Sequence, residues 1–212
     1  MKESGFSEKH LDVLKEIANI GAGHAATALS QLLNKPMDMN VPSVEFVPFE
    51  EMNDRLGEEE AVVAAAFLHV NGDAPGSLFF ILPAEDATTL VQELTLNEED
   101  TLHTPPYSDM AVSAFNEVGN ILAGSYLSAL TAFTDLKLYP SPPQTAVDLA
   151  MAIVSHGLIA HSEHSDYALV IDTKISEKSH VPIKGINGHF FFLPNPESFK
   201  PLLHSLGVQL DG

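Results

Sequence analysis

The chain contains no cysteine. That excludes a disulfide scaffold and thiolate chemistry, and makes a cytoplasmic protein the natural expectation. Positive charge is scarce: 10 Lys and Arg stand against 29 Asp and Glu, a formal net charge of −19, and the sole arginine is Arg55. Such a surface repels nucleic acid and anionic lipid, so neither is an expected partner. It suits a basic or cation-bearing one. Long apolar runs are missing too; no 18-residue apolar stretch occurs, so no membrane span is expected. Met1-Lys2-Glu3-Ser4 leads into no apolar run, so no signal peptide is expected either. What is present is 45% hydrophobic residues in a chain of 212, enough for one substantial core or two small ones fused.

The chain resembles itself. Shifting it by 101 residues aligns 11–42 with 112–143, with identities at Glu16/Glu117, Asn19/Asn120, Ile20/Ile121, Ala22/Ala123, Gly23/Gly124, Ala28/Ala129, Leu29/Leu130 and Pro42/Pro143. Further on, "GSLFFILP" (76–83) is echoed by "GHFFFLP" (188–194). Each echo leads into a leucine-bearing helical pattern, "AEDATTLVQEL" and "NPESFKPLLHSL". The expected fold is therefore α+β and internally duplicated. A single domain over 1–212 would hold two repeats, about 7–100 and 108–210, with its long helices on one face of a mostly antiparallel sheet.

Apolar residues at three- and four-residue spacing (Leu11, Leu14, Ala18, Ala22, Ala25, Leu29, Leu32) predict a helix over about Ser7–Asn34, with Ser7 as N-cap and Pro36 beyond the end. Its counterpart spans about 108–133. "SVEFVPF", "AVVAAAFLHV" and "GSLFFILP" read as strands of the first repeat, with "NGDAPG" (71–76) as a turn. "TDLKLYP", "GLIAHS", "YALVIDTKI" and "HFFFLP" read as strands of the second. Residues 144–156, "QTAVDLAMAIVSH", read as an extra helix.

"GAGHAA" (21–26) is close to a dinucleotide-binding fingerprint. That loop requires a strand before it and a helix beginning at it. Here the helical period begins about ten residues upstream and runs through, so the glycine N–H groups are tied into the helix. At about 100° per residue, Asp12, Glu16, Asn19 and Gly23 fall on one stripe off the apolar face. The second copy of the stripe is Ser113, Glu117, Asn120 and Gly124. Glycine inside a helix costs about 1 kcal/mol relative to alanine, yet both copies carry it one turn beyond the Asn. A bare patch beside an acid and an amide suggests clearance for a partner. A solvated face with a packing glycine is the plainer account of one such helix, and recurrence at fixed spacing argues against it.

Each repeat thus reads [Asp/Ser]-x3-Glu-x2-Asn-x22-Pro: Asp12, Glu16, Asn19, Pro42, then Ser113, Glu117, Asn120, Pro143. This motif, with "NIGAGHAATALSQLLN", "NILAGSYLSAL" and "LYPSPP", resembles the CheC/CheX/FliY family of chemotaxis phosphatases over essentially the whole chain. The resemblance implies hydrolysis of the aspartyl phosphate of the response regulator CheY. It implies that Asn19 and Asn120 orient the attacking water, and that Glu16 and Glu117 dock on the regulator's active-site lysine. No cofactor of the chain's own is implied, since the Mg²⁺ ion belongs to the regulator. The deamidase CheD is a second implied partner, with the segment around Asp148 as the expected contact, and a monomer is expected. Two alternatives stay open: a weakly catalytic module that sequesters phospho-CheY or regulates CheD, and a structural part of the flagellar switch.

The residue types suit that chemistry. Phosphoryl transfer through a loose transition state gains most from placing a water in line. A neutral amide both donates to and accepts from that water. The remaining polar clusters carry less. His156, His161 and His164 could be a metal set, but no counterpart exists in the first repeat and solvated loop histidines explain them. His24 becomes Ser125 in the second copy and is assigned no chemistry, and the acidic run 50–60 reads as a solvated loop.

Overall fold

A computed structural model describes residues 8–52, 61–159, 167–178 and 185–205. Helix α1 (Glu8–Leu33) is followed by β1 (Met37–Asn40), β2 (Val44–Pro48), a 3-10 turn (Phe49–Glu51), β3 (Val62–Gly72), β4 (Gly76–Pro83) and α2 (Ala84–Thr95). The second repeat holds α3 (Asp109–Thr134), β5 (Leu138–Pro140), β6 (Gln144–Leu149), α4 (Ala150–Ile159), β7 (Tyr167–Glu177), β8 (Ile186–Pro194) and α5 (Pro196–Ser205). The two long helices have 26 residues each, and their bounds differ by the 101 residues of the sequence repeat.

All strands join one antiparallel sheet in the order β1-β7-β8-β4-β3-β5, with β2 also on β7 and β6 also on β3. The pairing crosses between repeats. The first repeat's β1 and β2 lie on the second repeat's β7, and the second repeat's β5 and β6 lie on the first repeat's β3. The pseudo-two-fold passes between the central pair β4 and β8.

The helices α1, α2 and α3 cover one face of this sheet. At its middle, Phe80 of β4 stacks on Phe190 of β8 at 4.9 Å and on Phe115 of α3 at 6.1 Å. All three rings are fully buried, and each such burial contributes roughly 1.5–3 kcal/mol. Helices α1 and α3 pack so closely that a Cβ on Gly21 would stand 2.9 Å from the Tyr126 ring. The Tyr126 hydroxyl lies 3.0 Å from the Thr173 hydroxyl on β7, and burial pushes its pKa up to about 12. The opposite face carries a smaller core, with Val63, Ala65, Ile81, Val170 and Phe191 beneath Met52 and Ala150.

Several expectations are corrected. Residues 144–149 form strand β6, and only Ala150 onward is helical. Pairing with β3, remote in sequence, decides this against the local apolar pattern. Residues 157–159 of the expected strand "GLIAHS" belong to α4, and 160–162 lie outside the described residues. "TDLKLYP" is strand only from Leu138, because α3 runs on to Thr134. Leu32, assigned to the apolar face of α1, is 41% exposed. Strand β1, "MDMN", has none of the β-branched or aromatic content that marks a strand. The expected N-cap Ser7 lies outside the described residues, as do 53–60 of the acidic run. The cap of α3 is Ser108, whose hydroxyl accepts from the Ala111 N–H.

Candidate functional site

Helices α1 and α3 place the two stripes where periodicity predicts them. Asp12, Glu16 and Gly23 are exposed on α1; Ser113, Glu117 and Asn120 are exposed on α3, with Gly124 half-buried. A Cβ built on Gly23 or Gly124 meets no atom within 4 Å, so both glycines leave open space beside the helix backbone. Neither Glu16 nor Glu117 has an ion-pair partner among the described residues. Each carboxylate is therefore available to a cation from outside.

The motif prolines supply the opposite wall. Pro143, with Pro140, Ser141 and Pro142, faces Glu117 and Asn120 across an open groove of about 500 Å³. A smaller groove of about 300 Å³ lies between Asp12 and Lys15 on one side and Pro42 and Ser43 on the other. Asn19 and Glu16 do not line it. The 22-residue interval from Asn to Pro is thus the length of chain needed to finish the helix, form one strand and return to the Asn.

The two asparagines differ. The Asn19 side chain is half-buried: Oδ1 accepts from the Val41 N–H at 2.9 Å, and Nδ2 donates to the Lys15 carbonyl at 3.0 Å and the Val41 carbonyl at 3.5 Å. Asn19 lies on the expected stripe off the apolar face, but it has spent both donors and one acceptor position on backbone. Asn120 is exposed and has no hydrogen-bond partner among the described residues. Its neighbour Asn116, which also lines the larger groove, accepts from the Thr145 hydroxyl at 2.8 Å.

A polar cross-strand set beside Pro42 escaped the sequence reading. The Ser43 hydroxyl donates to Asp172 Oδ2, the Asp172 N–H donates to the Ser43 carbonyl at 3.1 Å, and His189 Nδ1 lies 2.8 Å from Asp172 Oδ1. The corresponding cross-strand positions at the second groove are Gln144, Phe67 and Phe79. Asp172 and His189 come from the other repeat, so only their register on β7 and β8 brings them to Ser43.

Asp148 is exposed on the edge strand β6, not on a helix. Of the small residues in the same segment, Ala146 and Ala152 are exposed and Ala150 is buried. His24 is exposed, His156 lies in α4, and His161 and His164 lie outside the described residues. Among the described residues, no group of three or more His, Asp or Glu is placed to hold a metal ion, and no helix is long and apolar enough to cross a membrane.

The fold defines the class: an internally duplicated α+β protein whose long helices lie on one face of a shared antiparallel sheet. Thermotoga maritima FliY superposes with a TM-score of 0.75 at 16% identity, over 95% of this chain and 98% of that one. Borrelia burgdorferi CheX, solved with CheY, BeF3 and Mg+2, gives 0.51 at 17% identity, over 82% of this chain and 96% of that one. At these identities the likeness is one of fold. In sequence, the chain is 42% identical to the CheY-P phosphatase CheC of Bacillus subtilis (strain 168), over 98% of each protein. It is 30% identical to the flagellar motor switch phosphatase FliY of the same strain, over 66% of this chain and 36% of that protein. The CheC-like family pattern matches residues 10–45 and 110–146, which contain every motif residue of both grooves. The chain belongs to the CheC-like family.

Proposed function

We propose that this protein hydrolyses the aspartyl phosphate of phosphorylated CheY. The observation that carries the reading is the second groove, where a carboxylate and an amide, both without a partner among the described residues, stand together beside open space left by a glycine. Glu117 pairs with a lysine at the regulator's active site and sets the register of the two proteins. Asn120 then enters that site and holds a water in line with the phosphorus. The amide is neutral, so it approaches a phosphoryl group without the repulsion a carboxylate would meet. The Mg²⁺ ion that neutralises the developing charge comes with the regulator. Positioning is the main contribution, and a correctly oriented reactant is worth up to about 7–11 kcal/mol of barrier. Glu16 and Asn19 occupy the matching positions on α1, with the Asn19 amide engaged by Lys15 and Val41.

The test is loss of phosphate from labelled phospho-CheY with wild type, Asn19→Ala, Asn120→Ala and the double variant. Wild type is expected to accelerate the loss, and the double variant to fall by about a hundredfold or more toward the regulator's own rate. A double variant as fast as wild type would rule out the asparagine mechanism. Tight binding of phospho-CheY without acceleration would point to the sequestering module.

A further inference from the structure

We propose that the residue before each motif proline decides whether that site's asparagine is free to act, so that the first site rests latched and the second rests open. The inference builds on the activity proposed above. At the first site this residue is Val41, whose N–H and carbonyl both engage the Asn19 amide. At the second it is Pro142, which has no N–H to give. The bond that holds Asn19 therefore cannot form at Asn120, although Pro142 and Asn120 line the same groove.

The latch has a second support. Val41 is buried at 2% exposure, and releasing its N–H from Asn19 without a new partner is costly. The adjoining Ser43 is fastened to β7 by side chain and backbone to Asp172, which is itself paired with His189. These contacts fix the turn carrying Val41 against a sheet built by the other repeat. Val41 and Pro142 are positioning residues, acting through the asparagines. Asn19 must leave Val41 before it can donate to a water, and the fraction of time it does so limits the first site.

Reciprocal substitutions test this. In an Asn19→Ala background, where only the second site works, Pro142→Ala restores an N–H without adding bulk. The expected result is a fall in kcat of roughly threefold to tenfold, the scale set by a reduced competent fraction. In an Asn120→Ala background, Val41→Pro is expected to raise kcat by a similar factor, and damage to the fold cannot produce a gain. An unchanged rate with Pro142→Ala overturns the proposal, as does a lower rate from a Val41→Pro protein that still unfolds cooperatively. If Val41→Pro does not fold, the Pro142→Ala arm decides alone. A second readout needs no regulator: in wild type, the Asn19 side-chain amide protons should exchange with water about tenfold more slowly than those of Asn120. Equal exchange overturns the latch whether or not the protein is a phosphatase, and absence of any phosphatase activity overturns the functional reading alone.

Discussion

At the scale of single residues, Gly21, Gly23 and Gly124 look alike in sequence and do different work. Gly23 and Gly124 have open space where a side chain would be. In a helix interior, Gly23→Ala and Gly124→Ala are each expected to stabilise the protein by about 0.5–1 kcal/mol. If the space serves a docking regulator, the same variants dephosphorylate it more slowly. Urea unfolding and phosphate release on the same samples check both halves, and a stabilised variant with an undiminished rate removes the docking role. Gly21 should respond in the opposite sense. Its Cβ would meet the Tyr126 ring at 2.9 Å and the Tyr126 backbone at 3.0 Å, so Gly21→Ala is expected to cost about 1–3 kcal/mol. The stripe Glu16–Asn19–Gly23 was legible because helix periodicity and the repeat both speak to it. The difference between Val41 and Pro142 was also printed in the sequence, but it acquires meaning only once the Val41 N–H is seen to meet Asn19, 22 residues away.

At the scale of elements, the long helices and the hairpins β3–β4 and β7–β8 were legible, because a strong period or a dense β-branched and aromatic run fills each of them. Strands β1 and β6 were not. Both take their identity from a partner in the other repeat, and β6 alternates only between exposed and half-buried positions. The segment joining the repeats shows how a short connection is fixed. Leu102 is fully buried and its N–H donates to the Thr88 hydroxyl at 2.9 Å. The Ser108 hydroxyl donates to the buried Asp100 carboxylate while capping α3. The Ser108 hydrogen bond holds Asp100 below its ordinary carboxylate pKa, outweighing the upward pull of burial. A depressed folded pKa means the contribution is present above the unfolded value and is lost as pH falls through the folded one. Below about pH 4 the urea midpoint of wild type should therefore drop more steeply than that of Asp100→Asn. Parallel pH profiles would show that this carboxylate carries no acid sensitivity.

At the scale of the whole molecule, strand exchange makes each site a joint product. The turn that carries Pro42 rests on β7 of the second repeat, and the turn that carries Pro143 leads into β6 on β3 of the first. Lys35, at the end of α1, joins Glu93 of α2 at 2.6 Å and Glu177 of β7 at 3.4 Å. Burial pulls its pKa down, but the two carboxylates outweigh that and hold it above the ordinary lysine value, so the link stays charged. Neither repeat can complete its sheet alone: the isolated first half would expose the β3 edge and leave β1 and β2 without a strand to pair with. We expect the halves 1–104 and 105–212, made separately, to lack cooperative unfolding, and an equimolar mixture to recover it together with phosphatase activity. The association should follow the concentration of the scarcer half, because each strand pair must form between chains rather than within one. Circular dichroism melts and phosphate release across a titration check this. A first half that melts cooperatively by itself would mean that the repeats are autonomous domains, and that exchange of strands follows folding instead of being required for it.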